Sequence, residues 1–406
     1  MKSTAIVGFG FCGRLAFLHL VKKSTKNKIL IFDPNLPNTL GPAFSPFSPH
    51  YILNVPAIKM SAFSNAPRDF CEFLEKKYPQ VWREVGENGY APRYIYGEYL
   101  DELTKQAFLE AKKNNVVFEL VAEGVSEILP QEEGFLINQK FAADEVFLAT
   151  SFKQSELPAN IDVTANLVTK NLWSADSKQF HQENFTNQTI CLIGSGLTAV
   201  DVIVGLKKKN FAGKIFVISR RGNFPKKHFG EIQSNLNFIS ASDAKNGVLF
   251  LCLKIRNFLK QNPQFDLRHA IDSIRQITTE LWQNFDKKNK KQFLRLLPYW
   301  NIFRHRAPIA SIETIEQMIE NGQIEILKKG RKNLECDLLV NCLGFEFKAE
   351  KYPLFAQMLA ANLLKKDLLL TQSNHPKIHL LGGLNIGRDF ECTAVPDLRV
   401  SVEKSV

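Results

Sequence analysis

The chain has 406 residues, 45% apolar and 23% charged, which leaves room for two or three domains with sizeable cores and excludes a largely disordered protein. Lys and Arg outnumber Asp and Glu by 52 to 41, a formal charge of +11. No nucleic-acid motif accompanies the excess, so solvated lysine faces account for it, with a field that suits an anionic small molecule. Seven scattered cysteines without a Cys-x-x-Cys pair exclude a disulfide framework and a dithiol centre, and no metal is called for. No stretch approaches the roughly 20 apolar residues of a membrane helix. Glycines and Arg14 interrupt the N-terminal apolar run before a secretory signal can form. A cytoplasmic location is expected, with no membrane or nucleic-acid partner and an open oligomeric state.

The first predicted elements form a βαβ opening. Strands over residues 4–7 and 28–32 flank a helix over 13–23. The strand Ala5-Ile6-Val7 runs into Gly8-Phe9-Gly10-Phe11-Cys12-Gly13, a glycine turn whose helix N-terminus suits a pyrophosphate. Asp33 ends the second strand about 20 residues after the last glycine, where an acid meets ribose hydroxyls.

Residues 34–92 are rich in proline, phenylalanine and asparagine. A structureless loop of that length is improbable inside a compact domain, so the segment is expected to wrap a cofactor and hold short helices, one over 66–77. Asn54 can meet a flavin edge or brace a loop. Arg93 precedes a helix over 97–113 and can reach a cofactor or make an internal ion pair. Strands follow over 116–121 and 145–149, with a small meander between them.

A second fingerprint, Gly194-Ser195-Gly196-Leu197-Thr198-Ala199, follows the strand Ile190-Cys191-Leu192-Ile193. Ala199 replaces the third glycine, an allowed variant. A helix over 197–208 leads to a strand over 214–218 and then Ser219-Arg220-Arg221-Gly222. Arginines in place of the acid favour a 2′-phosphate, hence NADPH. Residues 235–300 have helical spacing and many charges, which predicts an inserted helical subdomain. His305 and Arg306 follow the aromatic pair Tyr299-Trp300. A histidine there can exchange a proton and an arginine can hold an anion, so they are the candidate catalytic pair. His228 can contact the cofactor or cap a loop. Another strand covers 337–342.

The tail reads as strand, glycine turn and helix over 377–401. Gly382, Gly383, Glu391 and Thr393 are expected to complete the first cofactor site, with Thr393 also suited to capping the helix that contains Pro396.

These segments together resemble the YdhS-like bacterial FAD/NAD(P)-binding proteins, which are distantly similar to flavin-containing monooxygenases and flavin-dependent N-hydroxylases. The resemblance spans nearly the whole chain. It rests on Gly8 through Gly13, Gly41-Pro42-Ala43-Phe44, Leu53-Asn54-Val55-Pro56-Ala57 and the stretch from Pro92 to Leu100. It continues through the second fingerprint with Asp201, Ser219 to Gly222 with Pro225 and His228, Tyr299-Trp300 into Arg304-His305-Arg306, and Gly387 through Pro396. It implies FAD on the first fingerprint, completed by the tail, and NAD(P)H on the second. The Phe-x-Gly-x-x-x-His signature of flavin-containing and Baeyer–Villiger monooxygenases is missing before the second fingerprint, where Trp173 through His181 stand instead.

The expected fold is α/β with two Rossmann-like dinucleotide-binding domains. The first covers 1–170 and resumes over 346–406; the second covers 171–345 and carries the insertion. The expected cofactors are FAD and NADPH. The expected activity is hydroxylation of a small molecule. A flavin-dependent NAD(P)H reductase or dehydrogenase with an organic acceptor, and a non-catalytic redox-sensing flavoprotein, are the alternatives.

Overall fold

The computed structural model describes residues 2–23, 27–37, 40–45, 47–174, 177–183, 185–228, 236–328, 333–366, 368 and 371–406. Of the expected boundaries, positions 1 and 235 lie outside these. The chain divides into two units, one of residues 1–46, 55–152 and 347–406, the other of 47–54 and 153–346.

The first unit is built on a five-stranded parallel sheet of β1 (Lys2–Val7), β2 (Asn27–Phe32), β3 (Val117–Val121), β7 (Glu145–Leu148) and β15 (Ile378–Leu380), ordered β15-β7-β1-β2-β3. Ala5, Ile6, Ile29 and Ile31 are fully buried, as continuous apolar runs are when both faces of a parallel sheet are covered. The expected meander is β4 (Ile128–Pro130), β5 (Phe135–Ile137) and β6 (Phe141–Ala143), paired antiparallel. Helix α1 (Phe11–Lys23) crosses from β1 to β2. The proline-rich stretch holds α2 (Asp69–Lys77) and α3 (Pro79–Val85), and α4 (Arg93–Lys113) starts directly after Pro92.

The second unit carries its own parallel sheet. Its strands are β8 (Val163–Thr169), β9 (Thr189–Ile193), β10 (Lys214–Ile218), β11 (Ile324–Leu327) and β12 (Leu334–Asn341), ordered β11-β10-β9-β12-β8. The short α5 (Lys178–Gln182) precedes β9, and α6 (Leu197–Lys208) crosses from β9 to β10. Between β10 and β11 lie α7 (Gly247–Gln261), α8 (Leu267–Ile274), α9 (Thr278–Asn284), α10 (Lys287–Arg304) and α11 (Ile309–Glu320). The first unit then resumes with α12 (Pro353–Ala360), the hairpin β13 (Leu364–Lys366) and β14 (Thr371–Ser373), α13 (Ile386–Asp389) and α14 (Val395–Ser405).

Two boundaries differ from the sequence expectation. The first domain was expected to run to 170, but β8 pairs with β12, so the second unit starts at Lys153. Strand β8 alternates half-buried and exposed side chains, as an edge strand does, and lacks the apolar run that marks the central strands. Residues 47–54 also belong to the second unit, where Tyr51 meets the space at Gly205 of α6.

Candidate functional site

Each sheet has a topological switch point at the C-terminal ends of its strands, here called its crevice: β1 lies between β7 and β2, and β9 between β12 and β10. Open α/β sheets bind nucleotides at such switch points.

In the first unit, Gly8 has φ +93°, and a Cβ there would sit 2.8 Å from the Ala149 carbonyl oxygen. Only glycine takes that conformation at that distance. A Cβ on Gly13 would sit 2.0 Å from the Gly8 carbonyl oxygen, so α1 starts hard against the turn. Gly10 lies close to Gly41, with 3.6 Å from a built Cβ to the Gly41 Cα. The Phe9 and Phe11 side chains are buried, leaving their backbone as what the loop can offer. Asp33 accepts the Phe9 N–H on Oδ2 and the Asn35 N–H on Oδ1, both at 2.9 Å. A carboxylate oxygen has a second lone pair, so Asp33 braces the turn and can still accept a ribose hydroxyl.

Cys12 is buried, and burial pushes its thiol up to about 12. A Cβ on Gly382, at φ +64°, would meet its sulfur at 2.7 Å. The tail thus returns to the fingerprint, while Gly383 backs onto Phe152. Glu391 is half-buried and its N–H donates to the Asp389 carbonyl. Thr393 is exposed and does not cap α14; Ala394 holds that position, in extended backbone, without a side-chain bond. The extra residue lets Pro396 fall in the first turn, where its missing N–H costs nothing. Arg93 is half-buried at the start of α4.

Two polar groups that the sequence did not single out belong to this crevice. Thr150 follows Ala149 at the end of β7, its N within 3.0 Å of the Cβ position of Gly8; its Oγ1 is buried without a hydrogen-bond partner among the described residues. Tyr96 of α4 is fully buried among Phe11, Phe44 and Phe70, and its hydroxyl also lacks a partner among the described residues. Burial holds that phenol well above its ordinary range. Buried polar atoms are rarely left unsatisfied, so these two are open to a ligand. Nothing in the local pattern of Thr150 marks it, and Tyr96 lies in the Pro92–Leu100 stretch that carries the resemblance without a role attached to it; only the fold brings them beside the glycine turn.

The second crevice repeats the logic. Gly194 has φ +109°, with a built Cβ 2.7 Å from the Cys342 carbonyl oxygen. Gly196 is exposed, and a Cβ there would meet nothing within 4 Å among the described residues. That open face leads into the N-terminus of α6, where Leu197 and Thr198 are half-buried and Ala199 is fully buried. Ser195 turns inward: its Oγ donates to the Asn223 carbonyl at 2.7 Å and lies 2.8 Å from Ser219 Oγ. Its side chain therefore ties the two loops together, and Ser219 is consumed in the same tie. Arg220 is exposed, and the Arg221 guanidinium lies 5.1 Å over the Tyr299 ring of α10.

Asn54 does not stand in the first unit. Its carbonyl lies 3.1 Å from His228 Nε2, and the His228 N–H donates to the Ala307 carbonyl, so His228 is a loop brace. Of the expected catalytic pair, Arg306 is 5% exposed and clasps Asp272 of α8 through Nη2 at 2.6 and 2.8 Å. This buried ion pair ties α8 to the segment after α10. His305 is half-buried at the C-terminal cap of α10, with its N–H on the Asn301 carbonyl. Where the monooxygenase signature is missing, His181 packs against Phe47 and Tyr51, and burial lowers its pKa.

Sheet order and glycine turns together define a protein with two Rossmann-like units. Residues 5–153 match a family model described as FAD-NAD(P)-binding. No curated protein matches the sequence. Solved structures share the fold along nearly the full chain. The ornithine N-hydroxylase of Kutzneria sp. 744 is 13% identical with a TM-score of 0.60, covering 99% of this chain and 96% of that one. The cadaverine monooxygenase of Erwinia amylovora is 11% identical at 0.59, covering 99% and 92%. The bacillithiol disulfide reductase of Staphylococcus aureus is 11% identical at 0.52, covering 99% and 96%.

Proposed function

We propose that this protein is an FAD-dependent oxidoreductase that draws its electrons from NADPH and hydroxylates a small molecule. The observation that carries it is the pair of glycine crevices, each on its own parallel sheet, one matching an FAD-NAD(P)-binding family model. The fold shared with an ornithine and a cadaverine hydroxylase supports the reaction class and suggests an aliphatic amine as substrate. The resemblance to YdhS-like proteins supports the same cofactors.

When bound, FAD supplies hydride acceptance and oxygen activation. The chain would hold FAD through the backbone of Gly8 to Gly13, with Asp33 on the ribose and Thr150 and Tyr96 as hydroxyl donors. It would hold NADPH through the open backbone at Gly196 and the N-terminus of α6, with Arg220 and Arg221 on the 2′-phosphate.

The test measures NADPH and oxygen consumption with ornithine, lysine and cadaverine, together with hydroxylated product by mass spectrometry. One product per NADPH and oxygen consumed supports a monooxygenase. Turnover without oxygen, with a disulfide or quinone as acceptor, would replace it with a reductase. Failure of NADPH to reduce the flavin would leave a redox-sensing flavoprotein.

A further inference from the structure

The charge of this protein is not spread evenly. Residues 236–308 hold 13 Lys and Arg against 5 Asp and Glu, eight of the formal +11. Three of those acids are spent inside the insertion: Asp243 on Lys254 at 2.7 Å, Asp266 on Arg268 at 2.5 Å, and Asp272 on Arg306 at 2.6 Å. A fourth, Asp286, caps α10 through the Asn289 N–H at 2.7 Å.

The exposed stripes of two neighbouring helices contain no acid at all. Along α10, Lys287, Lys288, Lys291, Arg295, Leu296 and Tyr299 face outward, at the spacing of one helix face. Along α7, Leu249 is 70% exposed, Leu253 48% and Phe250 39%, with Arg256 and Lys260 further along the same face. The two N-terminal ends meet, because Asn289 Oδ1 accepts the Val248 N–H at 2.9 Å. Outward-facing aliphatic and aromatic side chains therefore sit beside the densest run of lysines.

We propose that the helical insertion docks on an anionic lipid bilayer, with α7 burying Leu249, Phe250 and Leu253 among the acyl chains and α10 setting its lysines against the headgroup phosphates. A basic helix face with neighbouring exposed apolar groups is what interfacial binding uses. Nucleic acid would engage the lysines but leave the leucines in water. The lysine runs, read in the sequence as solvated faces, thereby gain a partner. Among the described residues no helix is long and apolar enough to cross a membrane, so the association is peripheral.

Flotation of the full chain with vesicles of equal parts phosphatidylglycerol and phosphatidylcholine tests this, against vesicles of phosphatidylcholine alone. Binding is expected only to the anionic vesicles and is expected to weaken with salt. Replacing Lys287, Lys288, Lys291 and Arg295 together by Ala is expected to weaken it by ~100-fold or more, at roughly fivefold per charge. Leu249→Ser with Leu253→Ser is expected to weaken it about tenfold, with an unchanged melting temperature because both side chains are exposed. No binding to anionic vesicles at low salt would overturn the proposal. Binding that the serine variant leaves intact would overturn it too, as would tighter binding to duplex DNA or to an acidic peptide than to vesicles. The readout needs neither flavin nor NADPH, so it stands or falls apart from the redox assignment.

Discussion

Two glycines two residues apart should fail in opposite ways. Gly194 sits at φ +109°, and a Cβ would press within 2.7 Å of the Cys342 carbonyl oxygen. Gly194→Ala therefore combines a rare backbone conformation, costing about 1–3 kcal/mol, with a clash that β12 must yield to. At roughly 2–4 °C per kcal/mol for a unit of this size, the melting temperature should fall by about 5 °C or more. Gly196 has φ −81° and ψ −169°, ordinary for alanine, and its Cβ would meet nothing within 4 Å. Gly196→Ala should leave stability within about 0.5 kcal/mol of the parent. Its methyl group would nevertheless stand where a pyrophosphate must approach the backbone, so NADPH affinity should drop about tenfold, equivalent to ~1.4 kcal/mol. Thermal melts and calorimetric titration with NADPH measure both quantities. If Gly196→Ala melts early, or binds NADPH as well as the parent, the second crevice has been assigned wrongly.

Replacing Arg220 and Arg221 by Ala should raise KM for NADPH at least about tenfold while changing KM for NADH little, since only the former carries the 2′-phosphate; equal effects would exclude that contact. Arg306→Met should destabilise by about 3–5 kcal/mol in denaturant titration, because it leaves Asp272 buried and charged. Adding Asp272→Leu should recover much of the loss, whereas an inactive but fully stable Arg306→Met would assign Arg306 to catalysis instead. Glu145 is held down to about 2 by hydrogen bonds from His379 at 2.8 Å and Lys2 at 2.6 Å. Its folded pKa lies below its unfolded value, so its stabilisation is complete above about pH 4.5 and is lost as pH falls toward 2. After allowance for solvent screening it is worth about 1–2 kcal/mol, and acid titrations of Glu145→Gln should lack that portion of the slope.

Much of this architecture is written locally. Glycine turns flanked by Ala5-Ile6-Val7 and by Ile190 through Ile193 specify strand, elbow and helix within about a dozen residues each, and α6 and β10 fall on the expected spans. What stays hidden depends on distant partners. The edge strand β8 reads as polar until β12 pairs with it. Asp272 gives no sign that it will neutralise Arg306, 34 residues away. Ser195 looks like a phosphate donor until Asn223 and Ser219 are found to claim its hydroxyl. Thr150 and Tyr96 become candidates only because nothing among the described residues satisfies their hydroxyls.

The most direct measurement is optical. The purified protein, supplied with FAD and freed of oxygen, should show the oxidised flavin absorbance band and lose it on addition of NADPH, more readily than with NADH. A folded protein that never takes up flavin, or whose bound flavin stays oxidised with both nucleotides, would contradict the assignment of two cooperating dinucleotide sites.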